Sequence, residues 1–115
     1  MRAPDSDPAD THPSPSGDYL LTTAATETRM SHWVYAPAIT ETRTGATLMR
    51  LGGSAWSASE IAWRGDDVVT MALRRYPDGG TVYRLAVDCR QRSFMLGREA
   101  GPLTRLDTAL ERAAR

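Results

Sequence analysis

"VVTMALRRYPDGGTVYRLAVDC", residues 68–89, decides the fold. Two runs rich in β-branched and alternating apolar residues flank Pro77-Asp78-Gly79-Gly80, the signature of a β-hairpin. A three-residue loop of Asp78, Gly79 and Gly80 suits a type I turn closed by a glycine in the left-handed region. That loop pairs Val69 with Cys89, Met71 with Val87, Leu73 with Leu85 and Arg75 with Tyr83, a nearly apolar face. A two-residue loop would set Leu73 against Arg84 and mix the faces, and register follows the buried face. Cys89 then stands beside core residues, as expected of a structural thiol rather than a nucleophile.

The opposite face of the hairpin pairs Thr70 with Asp88, Ala72 with Ala86 and Arg74 with Arg84. Directly opposed like charges cost up to about 1 kcal/mol, a penalty that a bound acidic group would remove. Thr70, Arg74, Arg84 and Asp88 are therefore the first candidates for a partner-binding surface, and the partner is expected to present an acidic patch.

Working outward, "EIAW" (60–63) reads as a short strand and "RGDD" (64–67) as a turn into the hairpin. "RSFML" (92–96) reads as a last strand. Upstream, "DYLLTTAATET" (18–28) and "SHWVYAPAITET" (31–42) are strand-like. Pro37 cannot donate to a ladder, which predicts an edge or a bulge there. "TRTG" (42–45) turns into "ATLMRL" (46–51), and "GGSAWSAS" (52–59) reads as a loop containing Trp56. The sum is a mainly β chain: an antiparallel meander or sandwich of six to seven strands. After it, Leu103, Leu106, Leu110 and Ala113 recur at helical spacing behind Pro102, which predicts one C-terminal α-helix over 102–114 packed on the sheet.

Residues 1–17 differ in kind. Pro4, Pro8, Pro13 and Pro15 lie among Asp, Ser and Thr, a composition that predicts a disordered tail ahead of a single domain over 18–115. The 14 cationic and 14 anionic residues balance, but unevenly: residues 1–18 sum to 1 − 4 = −3 and the rest to 13 − 10 = +3. Every cation is Arg, and Lys and Asn are missing, as GC-rich bacterial codon usage would produce. A single cysteine excludes an internal disulfide and a Cys-rich zinc site. No apolar run is long enough to span a membrane, and the first residues lack a hydrophobic signal core, so a cytoplasmic location is expected.

The stretch "TETRMSHWVY" (26–35) concentrates Arg29, His32, Trp33 and Tyr35. In an extended strand Trp33, Tyr35 and Ile39 share one face, and Met30, His32, Val34 and Ala36 the other. Both faces suit burial, so the stretch reads as a strand with Trp33 in the core and with Arg29 and His32 at its polar start, open to a partner. Glu27, Arg29, His32, Glu41 and Arg43 also hold the residue types of a small ribonuclease, a base and a phosphate-binding cation. Arg29 and His32 point to opposite faces, however, and GxSxG, HExxH and phosphate-loop motifs are all lacking. Neither cofactor nor metal is expected. Nucleic acid is not an expected partner either, because Asp66, Asp67, Asp78 and Asp88 interrupt the arginines.

"SPSGDYLL" with "ETRTGATLMRLGG", and then "AWRGDDVVTMAL" with "VYRLAVDCRQRSFMLG", resemble two β-propeller blade repeats over residues 14–97. Gly17 and Gly65 occupy matching turns, and "RTGATLMRLG" parallels "RQRSFMLG". Two such units cannot close a ring, so the resemblance implies a stand-alone sheet or sandwich, or part of an assembly, with a binding role. The function expected is a small non-catalytic bacterial interaction protein, most concretely an immunity protein neutralising a toxin. The alternative is the ribonuclease-like hydrolase built on His32.

Overall fold

The computed structural model describes residues 9–27, 33–51, 56–75 and 81–114. The chain forms two antiparallel sheets and a C-terminal helix. The first sheet runs in chain order through β1 (Ala9–Pro13), β2 (Tyr19–Glu27), β3 (Trp33–Glu41) and β4 (Thr47–Arg50). The second, also in chain order, holds β5 (Trp56–Arg64), β6 (Val68–Arg75), β7 (Tyr83–Asp88), β8 (Ser93–Leu96) and β9 (Glu99–Pro102). A 3-10 turn (Leu103–Arg105) leads into α1 (Leu106–Ala113). The fold class is as read from the sequence: mainly β and antiparallel, ending in one helix.

Period-two alternation builds the core. Leu21, Ile39 and Met49 from the first sheet join Ala58, Val69, Met71, Leu73, Leu85, Val87, Phe94 and Leu96 from the second in a single buried cluster. Leu106, Ala109 and Leu110 of α1 pack into the same cluster, so the helix covers the inward face of the second sheet. Ala113, placed on the apolar stripe by spacing, is exposed instead, at the last residue of the helix.

The two meanders share their turn geometry. Gly17 between β1 and β2 (φ 83°) and Gly65 between β5 and β6 (φ 66°) both take the left-handed conformation that glycine adopts without a Cβ clash. The third-to-fourth strand turns also match, with positive φ at Gly45 in one and Arg92 in the other. Beside them, the Thr42 N–H donates to the Asp18 carbonyl at 2.9 Å, and the Cys89 N–H donates to the Asp67 carbonyl at 2.7 Å. Among the described residues no ring of blades is closed.

The described residues form nine strands, more than the six to seven expected. β1 lies inside the stretch read as a disordered tail: Ala9–Pro13 pairs with Leu20–Ala24. Its two-sided polar composition hides it, because an edge strand needs only one paired neighbour. Ser14 is buried, with its hydroxyl oxygen accepting the Tyr19 N–H at 3.1 Å. Trp56, read as a loop residue, opens β5 and is buried; small residues disguise the inward alternation of Trp56 and Ala58.

Pro37 lies neither on an edge strand nor at a bulge. β3 sits between β2 and β4, and the register shift falls at Ile39/Thr40. The Leu51 N–H donates to the Pro37 carbonyl at 3.0 Å, just past the end of β4, so the missing proline N–H faces the side where the ladder has stopped. One pair further along that edge, Ser57 of β5 accepts the Tyr35 N–H at 3.0 Å and takes over from β4. Tyr35, expected to be covered, is 41% exposed there. Arg29, Met30, His32 and the Trp33 side chain, with the Asp78-Gly79-Gly80 loop, lie outside the described residues.

Candidate functional site

The β6–β7 register differs from the expected one by two residues. Val69 opposes Val87, Met71 opposes Leu85, Ala72 opposes Arg84 and Leu73 opposes Tyr83. A shift of two leaves every side chain on its own face, so the apolar set stays buried in either register. Hydrophobic pattern therefore fixes the parity of the pairing and not the pairing itself. The same inward set continues across the neighbouring strands, where Ala58 of β5 opposes Leu73, and Phe94 and Leu96 of β8 oppose Val87 and Leu85.

This correction takes apart the opposed arginine pair. Arg84 faces Ala72, and Arg74 faces Ser57 across the β5 edge. The acid expected from a partner is supplied within the chain: Glu60 Oε1 accepts from Arg84 Nη1 at 3.1 Å. Arg74 Nη1 donates to Ser59 Oγ at 3.3 Å. Thr70 lies between Ala86 and Ala62 and donates to the Ala62 carbonyl at 3.3 Å. Asp88 serves the β7–β8 turn instead. Its Oδ1 accepts the Arg90 N–H at 3.0 Å and the Gln91 N–H at 2.9 Å, which occupies it as a turn cap.

Thr70 and Arg84 do come together. They line a groove of about 300 Å³ on the outward face of the second sheet, with Glu60, Arg64, Ala86, Met95 and Gly97. Rows across the strands explain its shape. Met95, Ala86, Thr70 and Ala62 form one row, and Arg84, Ala72 and Ser59 the next. Small side chains make the floor, with Ala72 fully buried, while longer ones make the rim. α1 packs on the inward face and leaves the groove open: the Arg84 side chain is 69% exposed and Met95 is 54% exposed.

Sequence reasoning missed Glu60, Arg64 and Met95. Glu60 reaches the groove because the β5–β6 register shifts between Ser59 and Ala62, and its φ is 52°. A non-glycine residue held there stores strain of about 1–3 kcal/mol, and such residues cluster at functional sites. Nothing in "SASEIAWR" announces a bulge. Arg64 was read only as part of the turn, and Met95 only as part of a strand; the alternation of Phe94 and Leu96 inward would have placed Met95 outward.

The groove carries Arg64 and Arg84 beside one carboxylate, Glu60, a balance of 2 − 1 = +1. Arg64 has no ion pair among the described residues. Cys89 is buried beneath the sheet. Burial first, and then Asp88, Asp67 and Asp66, push its thiol up to about 12, so it is no nucleophile at neutral pH. Among the described residues no three His, Cys, Asp or Glu side chains gather as metal ligands, and no helix is long and apolar enough to cross a membrane. Comparison with protein-family models, with curated proteins and with solved structures gives no match in any of the three.

Proposed function

We propose that the chain is a non-catalytic interaction protein whose partner docks on the outward face of the second sheet. The observation that carries this reading is the groove itself: an exposed methionine beside a floor of small side chains, rimmed by two arginines and one carboxylate. Arg and Met are enriched at protein interfaces, where an apolar centre excludes water and a charged rim sets orientation. The rim's excess positive charge favours a partner with acidic groups. A carboxylate there takes paired hydrogen bonds from Arg64 or displaces Glu60 from Arg84.

The most concrete form is a cytoplasmic immunity protein that neutralises a bacterial toxin. Size and a rigid sheet that presents side chains at fixed spacing support it. The ribonuclease-like alternative rests on Arg29 and His32, which lie outside the described residues, and no observation favours it.

The test is co-expression with the product of the adjacent gene. The expected outcome is a stable complex and relief of any toxicity, both lost in the double reversal Arg64→Glu with Arg84→Glu. Binding should weaken by about 2 kcal/mol or more, the scale of a hot spot, with the melting temperature held. Equal binding by wild type and the double variant at low salt would place the partner elsewhere.

A further inference from the structure

A second cavity, of about 370 Å³, opens between α1 and the β8–β9 hairpin, away from the groove described above. Arg105, Thr108 and Arg112 line one side of it, and Glu99 and Pro102 the other. Arg105 at the N-cap and Thr108 and Arg112 in α1 stand at i, i+3 and i+7, a spacing that sets them on one flank of the helix beside its buried face. That buried face is Leu106, Ala109 and Leu110, which holds α1 to the sheet and fixes the flank over the hairpin.

The polar groups of this cavity are unequally committed. Arg112 is anchored by Glu99 of β9. Arg105 and the Thr108 hydroxyl have no hydrogen bond or ion pair among the described residues. Arg105 stands at the N-cap position of α1 without a side-chain cap, where the helix dipole disfavours a cation. The charge balance is 2 − 1 = +1. Two guanidinium groups and a hydroxyl lining one cavity form a donor set with the charge to hold an anion.

We propose that this cleft binds a small phosphorylated molecule. A phosphate carries up to two negative charges on oxygens set around a tetrahedron, whereas a carboxylate carries one charge on two oxygens in a plane, so donors on three separate side chains, Arg105, Thr108 and Arg112, suit the phosphate better. Glu99 acts as the positioning residue that keeps Arg112 pointed at the cleft. The volume lies in the range of small-ligand sites, which leaves space for an organic group against Ala100 and Pro102. This site is independent of the partner-binding reading.

The experiment is an NMR titration of the full chain with inorganic phosphate, followed through backbone amides and arginine Nε–H signals, with acetate and chloride at matched ionic strength as controls. The expected result is saturable shifts at Arg105, Thr108 and Arg112 with phosphate and none that saturate with acetate. Arg105→Gln and Arg112→Gln should each weaken binding by about tenfold, the loss of one charge-assisted hydrogen bond. Thr108→Val, which keeps both charges and the side-chain shape, should weaken it by a smaller factor. The proposal is overturned if the shifts spread equally over Arg64, Arg74 and Arg84, if chloride reproduces them, or if folded Arg105→Gln binds phosphate as the wild type does.

Discussion

The two sheets are built alike and dressed differently. Each begins with a hairpin closed by a left-handed glycine, Gly17 or Gly65, and each has a positive-φ residue at its third turn. Each sends two or more alternate strand residues into the common core. Their outward faces have little in common. In the first sheet Leu20, Thr22, Ala38 and Thr40 alternate with buried Leu21, Thr23 and Ile39, and among these outward residues the charge is confined to Arg50, opposite Ala38. In the second, Arg74, Arg84 and Met95 stand outward around the bulged Glu60. One backbone plan thus serves both, so the outward charges of the second sheet are not required by the fold. On the proposed reading they serve recognition.

A shared core is the first thing to break. Trp56, where the chain enters the second sheet, is buried, meets Tyr83 edge-on at 5.5 Å and lies under the Arg75 guanidinium at 5.6 Å. Trp56→Ala should cost about 3–5 kcal/mol, and Leu21→Ala in the first sheet about 2–5 kcal/mol. Both variants should still unfold in a single transition by denaturant titration. Two separated transitions would show that the sheets are independent units.

The matched turns give a finer comparison. A Cβ at Gly17 or at Gly65 would meet nothing within 4 Å, so only the backbone conformation opposes a side chain there. Gly17→Ala and Gly65→Ala should therefore cost about the same, near 1–2 kcal/mol each, in chemical denaturation. A difference of more than twofold would mean that the two turns carry unlike constraints.

The clasp between the same turns predicts a dependence on acid. Asp66 accepts from the Ser16 backbone N–H at 2.6 Å and from its hydroxyl at 2.5 Å, which ties the first turn of one sheet to the first turn of the other. The Ser16 hydroxyl first, and then the Ser16 backbone, hold the Asp66 carboxyl below the usual carboxylate range. A lowered folded pKa means that the stabilisation is present above the unfolded value, about pH 4, and is lost as pH falls through the folded value. Wild type should melt above Asp66→Asn at pH 6, and the gap should close as pH falls below about 4. A gap that stays constant would show that the carboxylate is not the source.

How far the sequence could be read follows from which quantities alternation controls. The inward sets of Val69, Met71 and Leu73 and of Leu85 and Val87 were legible, and with them the β class and the C-terminal helix. The exact pairing was not, because registers two residues apart bury the same side chains. That single degeneracy produced the opposed Arg74 and Arg84 that the structure separates. β1 and the first half of β5 were hidden by composition, since Ala9–Pro13 and Trp56–Ser59 mix small and polar residues, while residues 60–63 were legible as strand. Of the candidate site, Thr70 and Arg84 were found from strand parity; Glu60 needed a bulge that no residue in the stretch encodes.

The difference between the outward faces is tested most directly by placing a pair of glutamates on each. Thr22→Glu with Thr40→Glu alters the first sheet, and Arg64→Glu with Arg84→Glu alters the second, and affinity for the co-purified partner is measured by calorimetry at low and at moderate salt. The expected result is unchanged affinity for the first pair. The second pair should bind about 30-fold or more weakly, about 2 kcal/mol, with a loss that shrinks as salt screens the rim. Loss of binding from the first sheet, with the second pair binding as wild type does, would contradict the assignment of recognition to the second sheet.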